Sequence, residues 1–255
     1  MLIDTHCHVD QYKNPNQIIC DCVKYQILTI GVTNLPSHYL IGKEHVLDNY
    51  FFKLAIGFHP LAIEQAHYKM ELEIFQQHVS QCDYIGEIGL DFSQKNKICR
   101  KVQIDVFCQI LCSIGVNKKI VTIHSRGAEK EVLEILIEKH TCPVVLHWYS
   151  GPLSYIDQFL AAGHYFSVNP SMTQTAKGRA FIAKVPRNRI LTETDGPYVK
   201  ITGNPVMPQG IRAALRGLAS LWNMNEDEVQ QHIQSNFEKI TGTSGTKNEC
   251  AAALM

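Results

Sequence analysis

The stretch Val144–Gly151, VVLHWYSG, decides how this chain is read. A short apolar run ends in a histidine, His147, and then breaks into a turn of small residues. The same event recurs along the chain. Leu2–His8 reads LIDTHCH, Tyr84–Asp91 reads YIGEIGLD, Lys119–Arg126 reads KIVTIHSR and Arg189–Gly196 reads RILTETDG. Near-continuous apolar runs are the signature of strands buried on both faces of a parallel sheet. Each run here delivers a side chain of metal-ligand type: His6 and His8, Glu87, His124, His147, and Asp195.

Working outward, further apolar runs at Ile27–Val32, Phe51–Gly57 and Tyr165–Val168 bring the expected strands to eight. Segments with helical periodicity alternate with them: 15–25, 38–47, 61–80, 98–116, 128–140, 153–162 and 169–185. Two more helices are expected over 211–222 and 226–240, after a long irregular loop over 200–210. In the long helix over 98–116 Val102, Val106, Ile110 and Ile114 repeat every fourth residue, and Phe107 and Leu111 widen the stripe. Gly178 is expected either to interrupt the helix over 169–185 or to delay its start.

Strand–helix alternation of this kind predicts a parallel sheet of βαβ units. Eight repeats in 255 residues favour an α/β fold of the closed (β/α)8 barrel type, in which reactive groups sit at the C-terminal ends of the strands. All the candidate ligands fall at that end. Residues 1–240 are expected to form a single domain, and 241–255, small and polar, a flexible tail.

The composition narrows the partners. Lys and Arg number 24 and Asp and Glu 24, giving no net charge. A protein that coats or slides along nucleic acid carries a basic surplus. A nuclease is still compatible, because bound cations can supply positive charge locally. The nine cysteines form no paired C-x-x-C pattern and read as free thiols of a reducing compartment. The start of the chain has no signal-peptide pattern, and no apolar run reaches the ~20 residues needed to span a bilayer. The expectation is a cytoplasmic protein with no membrane partner.

The ordered motifs DTHCH, GFHP, GEIGLD, Gln103 with Phe107, TIHSRGA, LHWYSG, FSVNP and TETDGPY together resemble the TatD family of metal-dependent deoxyribonucleases, within the amidohydrolase-like metal hydrolases. The likeness runs from Ile3 to Phe237. More narrowly, it is to the TatD-like members of the Qat anti-phage defence system. HWYSG stands where many relatives carry HCFSG, and Gly203-Asn204-Pro205 where many carry an Arg-Asn-Glu-Pro-type segment; both departures bear on substrate preference.

The resemblance implies two divalent cations, as zinc, magnesium or manganese. His6, His8, Glu87 and Asp195 would hold one, and Glu87, His124 and His147 the other. It also implies hydrolysis of DNA phosphodiesters, at single-stranded or 3′ ends, in company with partner proteins of a defence system. In that chemistry Asp195 is expected to hold a cation and accept a proton from the attacking water. His59 and Arg126 would steady the phosphate or the leaving group.

Several readings stay open on sequence alone. His59 is either a substrate contact or a histidine held in the turn before Pro60. Arg126 is either a phosphate clamp or part of a loop salt bridge. Asp91 is the runner-up to Glu87 as a bridging carboxylate, or else a partner or cap. Glu193 either orients a ligand or a loop donor, or is purely structural. Trp148 and Tyr149 either offer a ring on which a base stacks or pack beneath the site. Two other functions compete: a metal hydrolase of another ester, amide or nucleotide, and a metal-bearing binding subunit.

Overall fold

The apolar runs form strands because most of their residues are buried. β1 (Leu2–Cys7) is buried at all six positions and β2 (Ile27–Gly31) at all five. In the computed structural model, which describes residues 1–46, 49–63, 67–93, 98–115, 119–139 and 141–242, β1, β2 and β3 (Phe52–Leu54) pair in parallel, with Leu2 opposite Ile27 and Thr29 opposite Phe52. A second parallel arc contains β4 (Tyr84–Gly89), β5 (Ile120–His124), β6 (Val145–Leu146), β7 (Tyr165–Val168) and β8 (Ile190–Thr192), in chain order.

Two seams turn the arcs into a barrel. An Ile56–Ile85 bridge joins the arc of β3 to β4, with Ile56 N–H donating to the Tyr84 carbonyl at 3.2 Å and Gly86 N–H to the Ile56 carbonyl at 3.0 Å. Across the other seam, Thr5 Oγ1 donates to the Thr192 carbonyl at 3.0 Å and Thr192 Oγ1 to the Ile3 carbonyl at 2.6 Å. Just beyond the strand ends, Asp195 N–H donates to the His6 carbonyl at 2.9 Å and His8 N–H to the Gly196 carbonyl at 2.8 Å. This last pair fixes the two ends of the barrel sequence beside each other. The expected eight-stranded α/β barrel is what the chain forms.

The helices pack outside. α1 (Pro15–Lys24), α2 (Pro36–His45), α3 (Tyr68–His78), α4 (Arg100–Ile114) and α5 (Glu129–Glu138) follow successive strands. α1, α3, α4 and α5 are shorter than the sequence periodicity predicts, and α2 has the expected length but starts two residues earlier; residues 47, 64–66, 116 and 140 of the expected spans lie outside the described residues. α3 starts only at Tyr68, since the segment after His59 forms a short 3-10 turn over Pro60–Ala62. On α4 the buried stripe is Gln103, Val106, Phe107, Ile110, Leu111 and Ile114, while Val102 is only partly buried. A glutamine takes the inward place because it has backbone to satisfy: its Oε1 accepts from Asp91 N–H at 2.9 Å and its Nε2 donates to the Asp91 carbonyl at 3.0 Å.

Two other sequence expectations are corrected. After α6 (Ile156–Ala161) and β7 come two helices, α7 (Pro170–Gln174) and α8 (Ala176–Lys184). The break falls at Thr175, which is extended and caps α8 by accepting from Gly178 N–H at 3.1 Å. Gly178 lies inside α8; its missing side chain admits the Met172 carbonyl, 2.1 Å from where a Cβ would stand. The 200–210 loop contains a two-stranded hairpin, β9 (Lys200–Ile201) against β10 (Asn204–Pro205). Its turn residues Thr202 and Gly203 both have positive φ, 51° and 85°, the conformation that matches hairpin twist.

α9 (Ile211–Trp222) and α10 (Glu226–Thr241) complete the described chain. α10 continues one residue past the expected boundary and ends on Gly242 in the left-handed region. The rest of the expected tail lies outside the described residues. No helix among the described residues is long and apolar enough to cross a membrane.

Candidate metal centre

Glu87 is the hub of the barrel mouth. β4 carries it inward, 2% exposed, and five imidazoles face its two oxygens. Oε2 lies 3.2 Å from His8 Nε2 and 3.4 Å from His6 Nε2. Oε1 lies 2.6 Å from His124 Nδ1, 2.7 Å from His147 Nε2 and 3.4 Å from His59 Nε2. Asp195 Oδ1 closes the first side, 3.8 Å from His6 Nε2 and 3.6 Å from His8 Nε2. All six expected ligands therefore come together, five of them lining one cavity and His6 fully buried beside them, and His59 stands with them.

Local structure explains each placement. His6 and His8 are two apart on extended chain, so their rings project to the same side and their Nε2 atoms come within 3.3 Å. Thr122 Oγ1, 3.2 Å from His6 Nδ1, sets the ring's orientation. The His6 and His147 rings stack at 3.9 Å. His124 has Asp91 Oδ2 at 2.9 Å from its Nε2, and Asp91 Oδ1 accepts from Ser93 N–H at 2.9 Å. Asp91 is thus both a partner of a candidate ligand and a turn cap.

Glu193 is fully buried and accepts from Trp148 N–H at 2.9 Å, from Ser167 Oγ and from Asn169 Nδ2 at 3.2 Å. Its Oε2 is 3.7 Å from His147 Nδ1. It therefore holds the strand end that carries His147. Outer partners of this kind fix the tautomer and direction of imidazole ligands.

His59 resolves both ways at once. Its Nδ1 accepts from Leu61 N–H at 3.1 Å, capping the turn, while Nε2 points at Glu87. Arg126 is exposed, borders the same cavity, and has no ion pair among the described residues. Tyr149 is buried against Phe159, Phe166 and Phe181, whereas Trp148 remains 36% exposed on the cavity wall.

Burial displaces the protonation of these groups and leaves several donor atoms unpaired. Burial, and then the neighbouring His147, push the His6 imidazole down to about 3, so it is neutral. Burial raises the Asp195 carboxyl well above the usual carboxylate range; Glu193 and Glu87 add to this, and His147 only partly offsets it. Asp195 Oδ1 and the Nδ1 atoms of His8 and His147 are buried without a hydrogen-bond partner. Burial opposes a charge on His124, but Glu87 and Asp91 outweigh it and raise its pKa. A ring placed between two carboxylates needs hydrogens on both nitrogens, or a cation in place of one.

Separations of 3.2–3.8 Å among His6, His8, Glu87 and Asp195 donor atoms are those of groups sharing one first-row cation at about 2.0–2.2 Å. Among the described residues, three overlapping donor groups qualify: His6, His8, Glu87; His6, His147, Asp195; and His59, Glu87, His124. The donor set fits divalent metal. The cavity above it measures about 770 Å³ and is lined by Asn34, His38, Leu61, Ser150 and Tyr198, among others.

Sequence reasoning did not single out Thr122, Ser167 or Asn169 as supports. The signal was available: each is a polar residue within or just after an apolar strand that has no other reason to carry one.

A barrel with histidines and carboxylates gathered at the C-terminal strand ends defines a metal-dependent hydrolase. Comparison with known proteins agrees. The YjjV crystal structure, a TatD homologue from Escherichia coli, superposes with a TM-score of 0.79 at 25% identity, covering 94% of this chain and 97% of that one. The uncharacterized metal-dependent hydrolase MJ1582 of Methanocaldococcus jannaschii is 23% identical over 244 residues, 93% of this chain and 96% of its own length. Human deoxyribonuclease TATDN3 is 23% identical over 259 residues, 94% of each chain. Residues 3–242 match the family described as TatD related DNase, and the chain belongs to that family. It is a metal-dependent hydrolase acting on ester bonds.

Proposed function

We propose that this protein is a deoxyribonuclease that hydrolyses DNA phosphodiester bonds from 3′ ends of single strands. In this reading residues 1–240 are one catalytic domain, acting in the cytoplasm. His6, His8, Glu87 and Asp195 would hold one divalent cation and Glu87, His124 and His147 a second, as zinc, magnesium or manganese. The observation that carries the reading is the division of Glu87: one oxygen faces His6 and His8, the other His124, His147 and His59. Paired cations supply Lewis acidity toward phosphoryl oxygens and lower the pKa of a coordinated water.

The chain's own residues supply the rest. Asp195 lies on the cavity with one unpartnered oxygen and accepts the proton that the attacking water gives up. His59 uses Nδ1 as an acceptor from Leu61, so its neutral ring carries hydrogen on Nε2; that hydrogen faces Glu87 Oε1 at 3.4 Å and is shared with a phosphoryl or leaving oxygen when substrate fills the cavity. Burial lowers the His59 pKa more than Glu87 raises it, which keeps that ring neutral. The Arg126 guanidinium, at the cavity edge, binds a phosphate oxygen pair. The absence of net charge suits strand ends better than long duplex tracts.

The likeness to the TatD-like component of Qat systems supports a role in anti-phage defence beside partner proteins. The test is digestion of 3′- and 5′-labelled single strands by metal-loaded wild type and His124→Ala, with a panel of small esters alongside. Metal-dependent shortening from the 3′ end, lost in the variant, supports the reading. Hydrolysis of small esters with no attack on DNA overturns it. For the defence role, plaque counts should rise to the unprotected level with Glu87→Ala; undiminished protection by that folded variant would favour a binding subunit.

A further inference from the structure

Residues 147–149 point three ways. His147 turns in toward Glu87, Tyr149 turns down into the aromatic cluster of Phe159, Phe166 and Phe181 with its hydroxyl donating to the Pro152 carbonyl at 2.8 Å, and Trp148 is left on the cavity wall, 36% exposed. Nothing about a large apolar ring favours that place. Its backbone has φ +36°, a left-handed conformation that is unusual for a bulky residue and survives only where surroundings impose it.

Here they do. Trp148 N–H donates to Glu193 at 2.9 Å, and Glu193 is fully buried with Ser167 and Asn169 as its other donors. The Trp148 backbone is therefore held by a buried carboxylate and two pinned neighbours, and this fixes the point on the cavity wall from which its side chain leaves the chain. The same cavity carries an exposed guanidinium, Arg126, the candidate ligand set, and the half-exposed ring of Tyr198 edge-on to His8 at 4.8 Å. An anionic phosphate group, with a flat aromatic group attached, is the ligand chemistry these parts match together.

We infer that Trp148 is a nucleobase platform: the base of the nucleotide adjoining the scissile phosphate stacks on its indole. This deepens the phosphodiesterase reading and rests on it for the identity of the ligand. Stacking on an aromatic side chain is sequence-tolerant, since every base has a π-face. Trp148 is thus a specificity-determining residue for bases over base-less esters.

The test uses the full chain and the fact that there are two tryptophans. Trp222 is buried, with the Arg187 guanidinium 5.6 Å from its ring, so Trp148 is the exposed reporter. Protein loaded with divalent cation is titrated with a short single-stranded oligodeoxynucleotide whose phosphorothioate linkages resist hydrolysis, and with the same strand bearing abasic 3′ residues; digestion is followed separately on the unmodified strand. Intrinsic fluorescence is quenched by the first and far less by the second, with apparent affinities roughly tenfold apart. In Trp148→Ala and Trp148→Phe, which lack the reporter, the same two affinities are read from the anisotropy of 5′-labelled strands: the ratio falls toward one in the alanine variant, and the phenylalanine variant keeps most of it. KM for base-bearing strands rises more than kcat falls in the alanine variant.

Equal affinity for both strands with no base-dependent quenching overturns the platform even if DNA is digested. Base-dependent quenching without any DNA hydrolysis keeps the platform and overturns the nuclease reading. Binding to neither strand overturns both.

Discussion

Gly89→Ala tests whether the barrel mouth is as tightly specified as its distances indicate. Gly89 ends β4 at φ +136°, and a Cβ there would stand 2.1 Å from the His124 carbonyl oxygen and 3.0 Å from its C and N atoms. Comfortable contact begins at about 3.5 Å, so the end of β5 must retreat by roughly an ångström. The adverse backbone region costs about 1–3 kcal/mol and the overpacking a similar ~1–3 kcal/mol. Together these make roughly 2–6 kcal/mol, which for a chain of this size lowers Tm by about 5–20 °C. The same retreat draws His124 Nδ1 away from Glu87, 2.6 Å distant in the wild type. A misplacement of that size costs about 10²-fold in rate. Thermal melting and initial rates on a labelled single strand, under saturating metal, read both effects. Unchanged melting and undiminished turnover in Gly89→Ala would refute the reasoning, because the carbonyl contact would then be imposing nothing.

Two further outcomes follow from the same geometry. Glu193→Gln keeps an acceptor for Trp148 N–H but removes the charge 3.7 Å from His147 Nδ1, so metal affinity by calorimetry should weaken about 10–100-fold with little change in far-UV dichroism; unaltered affinity would contradict a supporting role. His164, 1% exposed, accepts from Val144 N–H through Nδ1 at 3.3 Å, and burial, reinforced by Arg189, pushes its pKa down to about 4 from 6.5. The unfolded chain binds its proton more readily, so this contribution is intact above pH ~6.5 and drains away toward pH 4, about 3 kcal/mol over that window. Denaturation at stepped pH should show a shallower acid loss in His164→Asn, and parallel curves for both proteins would sink the assignment.

Much of this was legible in the sequence because barrel chemistry sits at strand ends. An apolar run that stops at His124 or Glu87 announces both the strand and the ligand, and His6 and His8 declare a shared direction by their spacing. What stayed hidden depends on three-dimensional contacts. Nothing in the order of residues says that Glu87 divides its oxygens between two sets of imidazoles, or that His59 can cap its own turn and still face Glu87. Gln103 sits in an apolar helical stripe for a reason visible only once Asp91 lies beside it. The helix break at Thr175 and the hairpin around Thr202–Gly203 were missed because local backbone conformation outweighed residue-type expectation.

The most direct test is metal stoichiometry. Purified protein, dialysed against trace zinc or manganese and assayed by elemental analysis, should hold two ions per chain, with one or none in Glu87→Ala. Full-length, folded wild type that retains no divalent ion at saturating concentrations would contradict the account at its root.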